Sequence, residues 1–290
     1  MTRIIPITGG LGNQMFQYAF GLSLQEQGYK VVYIVRNKKR MGHYGFELDK
    51  VFCIEKIFSF SSKIYSFLYL VLKHLPKSLI NTIESTLGIS LIINNENFRY
   101  FPFSEIDNGN NSVFLCGTWQ SELYFQNVIG KVLTSFRFRD NNITKYNIDL
   151  ASIIKNCGSV ALHVRKGDYL SKKYINGFNE ICTTEYYQRA VNYIENIVTN
   201  PVYFIFSDDI AWAKDNLNLG KCFFIDKNQG KNSWQDMYLM RCCKHNIIAN
   251  STFSWWGAYL NPNPEKIVIA PAKWWNGIDD DVVPDQWIRL

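Results

Sequence analysis

Four short apolar runs in the second half of the chain, Ser159 to His163, Val202 to Phe206, Asn246 to Ala249 and Lys266 to Ala270, alternate with helix-patterned stretches at Thr184 to Val198, Ile210 to Leu217 and Trp234 to Lys244. Runs so short and so continuously apolar bury both faces, which requires a parallel sheet with helices on either side. A doubly wound α/β unit is what that alternation specifies. The first half opens the same way. Arg3 to Thr8 and Lys30 to Val35 read as strands around Asn13 to Gln27, whose Met15, Phe16, Ala19, Phe20 and Leu24 recur at helical spacing. Residues 57–93 carry a helical inclination, and Ser112 to Cys116 returns to strand character. The polar stretch Arg139 to Asn147 is the best linker candidate, which places a domain boundary near residue 150.

At 290 residues and 47% hydrophobic, the chain can build a substantial core, and disorder is not expected. The balance of 31 basic against 25 acidic residues gives a mild preference for acidic ligands, but no lysine or arginine run is dense enough for nucleic acid. Seven cysteines, two of them adjacent at Cys242 and Cys243, fit neither a disulfide framework nor a zinc pattern; a reducing, cytoplasmic setting is expected. The start, Met1 to Pro6, lacks the apolar core of a signal peptide. Ile64 to Leu72 is apolar but stops at Lys73-His74, short of the roughly 20 residues that span a bilayer. A buried helix is expected there, with a membrane-surface helix as the alternative.

Two strand tips carry the chemistry. His163-Val164-Arg165-Lys166-Gly167-Asp168 ends the first apolar run of the second half, so Arg165 stands where open α/β sheets hold anions. Ile247-Ile248-Ala249 leads into Asn250-Ser251-Thr252-Phe253-Ser254 and then a helix, whose first amides would face a phosphate. Each alone could be a surface turn; together they make two anion-binding elements at one sheet edge. Phe206-Ser207-Asp208-Asp209 ends another strand, with one residue a helix N-cap and Ser207 still able to line a site. Asp236 begins a helix, where it either complements the helix dipole or accepts hydrogen bonds from guanine. Gly9-Gly10-Leu11-Gly12-Asn13-Gln14 opens the first helix, where Gly10 and Gly12 allow close backbone approach and Asn13 offers an amide. Met15 replaces the glycine that a dinucleotide fingerprint needs, and Val35-Arg36-Asn37 lacks its acidic residue, which argues against NAD.

These four blocks, Gly9 to Gln17, His163 to Tyr169, Phe206 to Asp209 and Ala249 to Gly257, resemble the bacterial α-1,2-fucosyltransferases of glycosyltransferase family 11. The resemblance implies an α/β, GT-B-type fold of two Rossmann-like domains facing a central cleft: 1–150 on the acceptor side and 151–290 binding GDP-β-L-fucose. It implies inversion at the anomeric carbon, no cofactor and no required metal. Arg165 then contacts the β-phosphate, His163 orients the nucleotide, and Asp236, Thr252 and Phe253 surround the base and phosphate; Ser207, Ser251, Gly10 and Gly12, read from their own segments as able to line a site or approach an anion or sugar, are the further donor-binding candidates. The expected acceptor is the 2-hydroxyl of a galactose in an oligosaccharide, surface glycan or lipid-linked O-antigen, handled in the cytoplasm or at the inner face of the membrane. Alternatives are an α-1,3 or α-1,6 linkage, or a carbohydrate-binding protein without catalysis. Related α-1,6 enzymes carry a glutamate just beyond the arginine motif, where this chain has Tyr169 to Lys173. The proton acceptor is therefore unassigned, Asp168 being the nearest candidate or else an ion-pair partner for Arg165. Asn13 is expected to hydrogen-bond the acceptor or the phosphate. Lys166 stands where many relatives have a second arginine, keeping the charge without the planar fork.

Overall fold

In the computed structural model, residues 1–35, 44–54, 57–94, 98–166, 181–277 and 279–290 are described. The chain divides into two compact units, Met1–Arg139 and Asp140–Leu290. The first contains β1 (Thr2–Ile7), α1 (Leu11–Glu26), β2 (Lys30–Val35), α2 (Leu48–Val51), α3 (Phe60–His74), α4 (Lys77–Leu87), β3 (Ile89–Ile93), α5 (Phe103–Ile106), β4 (Ser112–Cys116) and α6 (Ile129–Ser135). Its four strands form a parallel sheet in the order β2-β1-β4-β3. The second contains α7 (Lys145–Lys155), β5 (Gly158–Val164), α8 (Thr184–Ile197), β6 (Pro201–Ser207), α9 (Ile210–Asn216), β7 (Cys222–Ile225), α10 (Trp234–Cys242), β8 (His245–Ile247), α11 (Thr252–Tyr259), β9 (Val268–Ala270) and β10 (Ile288–Arg289). Its parallel sheet runs β10-β9-β8-β5-β6-β7.

That second order is the doubly wound one: the chain starts in the middle at β5, winds outward through β6 and β7, then returns to the other side of β5 for β8, β9 and β10. The direction of winding reverses between β5 and β8, and ligands of such sheets bind beyond the carboxyl ends of the strands at that point. Alternation along β5 separates the two faces. Val160, Leu162 and Val164 pack with Tyr186, Ala190 and Ile194 of α8, while Ala161 packs with Leu150 and Ile154 of α7 and with Leu239 and Met240 of α10. His163 shares the Ala161 face by the two-residue period of a strand.

In the first unit the reversal falls between β1 and β4. Helix α3 packs Tyr65, Leu68, Tyr69 and Leu72 against Ile4, Val32, Ile34 and Phe114 of the sheet. Arg3 is fully buried on β1 because Asp107 accepts from its Nη2 at 2.6 Å and the Asn110 carbonyl from its Nη1 at 3.0 Å.

Three expectations are corrected by this fold. The boundary near 150 falls inside α7, whose Leu150 and Ile154 belong to the second core, so the division lies at Arg139 and Asp140. The stretch 57–93 is not helical throughout: Gly88 turns left-handed at φ +60° and ends α4, and Ile89–Ile93 pairs with β4 as a strand. The helix over Ile64 to Leu72 is not buried; only Ser62 and Leu72 of α3 are, because the helix lies on the sheet by one face.

Candidate active site

The carboxyl edge of the second sheet gathers His163, Arg165 and Phe253. Arg165 follows β5 directly, its side chain 24% exposed, and its Nε lies 3.2 Å from Oδ2 of Asp208 at the tip of β6. The other carboxylate oxygen of Asp208 accepts the Lys166 backbone N–H at 2.9 Å. One carboxylate thus fixes both the guanidinium and the backbone that carries it, as positioning of a charged group requires. Asp168, proposed above for that ion pair or for proton transfer, lies outside the described residues; Asp208 is a partner that Arg165 has among the described ones.

His163 is 5% exposed. Burial first, and then the Arg165 charge, push its imidazolium pKa down to about 3 against the opposing pull of Asp208, so the ring is neutral near pH 7. Its Nδ1 is buried and has no hydrogen-bond partner among the described residues, while the Tyr187 hydroxyl donates to its carbonyl at 3.1 Å. The ring centroid lies 6.0 Å from that of Phe253, which brings the first turn of α11 beside β5. Ser251 is the N-cap of α11 but gives no side-chain cap, so the amides of Thr252 and Phe253 head an eight-residue helix at the switch point. Ser254 Oγ donates to the Ser251 carbonyl at 3.3 Å and holds that turn.

Ser207 accepts the Asp209 N–H at 2.9 Å, and Asp209 caps α9 by accepting the Trp212 N–H at 2.9 Å, so this strand end is shaped by local hydrogen bonds. Lys166 turns inward: its ammonium donates to the Cys182 carbonyl at 3.1 Å and sits 4.6 Å from the Trp212 ring centroid, and burial lowers its pKa. Lys166 is therefore committed to packing.

Asp236 lies in the first turn of α10, on the same face of the sheet as His163. Its Oδ1 accepts from Asn228 at 2.8 Å; Asn228 exchanges hydrogen bonds with buried Asn147, which donates to Gln235 Oε1 at 2.8 Å. Burial raises the Asp236 carboxyl to about 7, against the lowering effect of the Asn228 amide. This amide network is a site feature that the sequence patterns do not reveal, since it joins residues from three separate segments.

The carboxyl edge of the first sheet has a different character. Gly9 adopts φ +77°, and a Cβ there would lie 2.7 Å from Asn13 Nδ2, so only glycine fits. Gly10 is the N-cap of α1 and Gly12 is buried within its first turn. Asn13 is partly exposed and accepts from Gln120 Nε2 at 2.9 Å, while Gln120 Oε1 is buried with no partner among the described residues. The other two amides of the motif are structural. Gln17 accepts from the Thr8 N–H and donates to the Gly117 carbonyl, each at 2.9 Å, tying the ends of β1 and β4. Gln14 donates to the carbonyls of Gly9 and Gly45 at 3.0 and 2.8 Å and accepts the Glu47 N–H at 3.0 Å. Glu47, which sequence reasoning passed over, is thereby fixed beside the glycine turn. It is 6% exposed, and burial raises its carboxyl to about 7 against the lowering effect of Lys50. Trp119, Trp255 and Trp256 are all buried, which makes them core residues and not stacking platforms.

The profile of glycosyl transferase family 11 matches residues 3–281. An Escherichia coli α-1,2-colitosyltransferase is 33% identical over 99% of this chain and 98% of its own. The O-antigen biosynthesis glycosyltransferase WbnK of Escherichia coli is 31% identical over 98% and 99%. The human galactoside α-(1,2)-fucosyltransferase 1 is 30% identical over a shorter stretch, 35% of this chain and 28% of that protein. With a match along nearly its whole length and two successive units each built on a parallel α/β sheet, the chain belongs to glycosyltransferase family 11.

Proposed function

We propose that the protein transfers L-fucose from GDP-β-L-fucose to the 2-hydroxyl of a galactose residue, with inversion and without a metal. The observation that carries this reading is the tip of β5, where Arg165 is held by Asp208 next to neutral His163 and the opening turn of α11. A guanidinium and helix amides in one place suit a leaving diphosphate, whose charge grows as the glycosidic bond breaks. Arg165 stabilises that charge. Neutral His163 can donate one hydrogen bond without adding a second cation. Asp236, once ionised, accepts from the two adjacent donors of guanine, which adenine lacks. Ser207, Ser251, Thr252 and Phe253 complete the nucleotide site.

The first unit receives the acceptor in this reading. Asn13 and Gln120 hydrogen-bond its hydroxyls, and Gly10 and Gly12 allow close approach. Glu47 takes the proton of the attacking hydroxyl, because its carboxyl titrates near neutrality and accepts no hydrogen bond from another described residue. Asp168 remains the rival for that step. A galactose-terminated oligosaccharide or lipid-linked glycan is the acceptor, and the seven free thiols support a cytoplasmic setting.

A second reading has a specific motive: the 33% identical relative is a colitosyltransferase. Incubation with GDP-fucose and with the corresponding colitosyl nucleotide, on a panel of β-galactosides, separates the two by product mass. Linkage analysis by NMR then decides the bond. A 1,2 bond supports the proposal; a 1,3 or 1,6 bond refutes it, and sugar binding with no GDP affinity would favour a binding protein.

A further inference from the structure

Helix α3 has two apolar faces, and the sheet uses one of them. Tyr65, Leu68, Tyr69 and Leu72 pack inward. On the other face Phe60, Ile64, Phe67 and Val71 are 77, 54, 71 and 40% exposed. Their spacing of four, three and four residues confines them to an arc of about 60° at 3.6 residues per turn. Leu70, 42% exposed, widens the stripe. Five large apolar side chains in one exposed stripe form a contiguous patch of the kind that soluble surfaces otherwise avoid.

The charges around the stripe select its partner. Lys63, Lys73, His74 and Lys77 stand on or just after this helix, all exposed. No aspartate or glutamate occurs from Ile57 to Ile83, and Glu84 is the next acid along the chain. Aromatic and aliphatic side chains on one face, with Lys63 and His74 between Leu70 and Phe67 on that face and Lys73 and Lys77 near its end, are the chemistry of a helix lying in the headgroup layer of an anionic membrane. No described helix is long and apolar enough to cross a bilayer, so the fit is to the surface. We propose that the exposed face of α3 docks the protein on an anionic phospholipid surface. Docking of this kind is independent of the identity of the donor sugar.

The test is co-sedimentation with vesicles. The whole protein should bind vesicles of phosphatidylglycerol and phosphatidylethanolamine and bind phosphatidylcholine vesicles far less, with binding falling as salt rises. The pair F60S and F67S should cut partitioning by about tenfold or more. The pair K63E and K73E should cut it by at least about fivefold for each lysine, since each substitution removes a positive charge and adds a negative one. Turnover of a soluble acceptor and the melting temperature should be unchanged in both, since these side chains are exposed and lie outside the catalytic machinery. Equal partitioning of wild type and the F60S/F67S pair would overturn the proposal. A concentration-dependent dimer that the same pair abolishes, with no vesicle binding, would overturn it in favour of a second copy of the chain.

Discussion

The two sheets end in similar loops but present opposite chemistry. Beyond β5 the second unit offers a guanidinium, an inward-facing lysine, a neutral histidine and the start of a helix. Beyond β1 the first unit offers amides, a glycine turn and a carboxyl that titrates near pH 7. The same topological device, a reversal of winding at the strand tips, supplies a place for a ligand in each unit, and the side chains there decide which ligand. A diphosphate suits the second edge, and a hydroxyl that must lose a proton suits the first.

Arg165→Ala breaks this contrast most directly: it should lower transfer by about 10²- to 10³-fold while leaving the melting temperature within a few degrees. Retention of activity would remove the anion site from the second edge. On the other edge, Glu47→Gln should lower turnover by about 10²-fold and leave the affinity for GDP unchanged. Wild-type turnover should also fall as pH drops below about 7, where a carboxyl raised to that value takes up its proton; the Gln variant should lack this limb. If the limb persists in the variant, another group carries the proton.

Asp236 gives a sharper and smaller effect. Its carboxyl, raised to about 7, must be ionised to accept from guanine, so GDP affinity should rise through that pH and level off above it. Asp236→Asn should flatten that rise and cost about 1 to 3 kcal/mol of GDP binding, with little change for inorganic diphosphate. Equal losses for both ligands would contradict guanine recognition. Asp208→Asn is the mildest: it weakens the ion pair but can still accept the Lys166 N–H, and about a fivefold loss of turnover is expected because Arg165 is misplaced and not removed.

Much of the fold was legible in the sequence. The strands β1, β2, β4, β5, β6, β8 and β9 announce themselves as short apolar runs, and Arg165 and His163 follow from their place at the end of one. The short strand β3 is hidden because its signal is a single left-handed Gly88 after a long helical pattern, and β7 and β10 because they are short edge strands. The Asp208 contact of Arg165 could not be read either. Asp208 looks like a cap residue in its own segment, and only the pairing of β5 with β6 brings it to the guanidinium. The same holds for Asp236, whose network reaches Asn147 through Asn228, 81 residues further along the chain from that asparagine. Glu47 was missed because nothing in its neighbourhood marks it; its position is set by Gln14, 33 residues earlier.

The division of labour between the two edges is tested most directly by calorimetric titration of GDP into three proteins: wild type, Arg165→Ala and Asn13→Ala. The arginine variant should lose most of its GDP affinity and the asparagine variant should keep it. Full affinity without Arg165, or its loss without Asn13, would contradict the assignment of the diphosphate to the second unit.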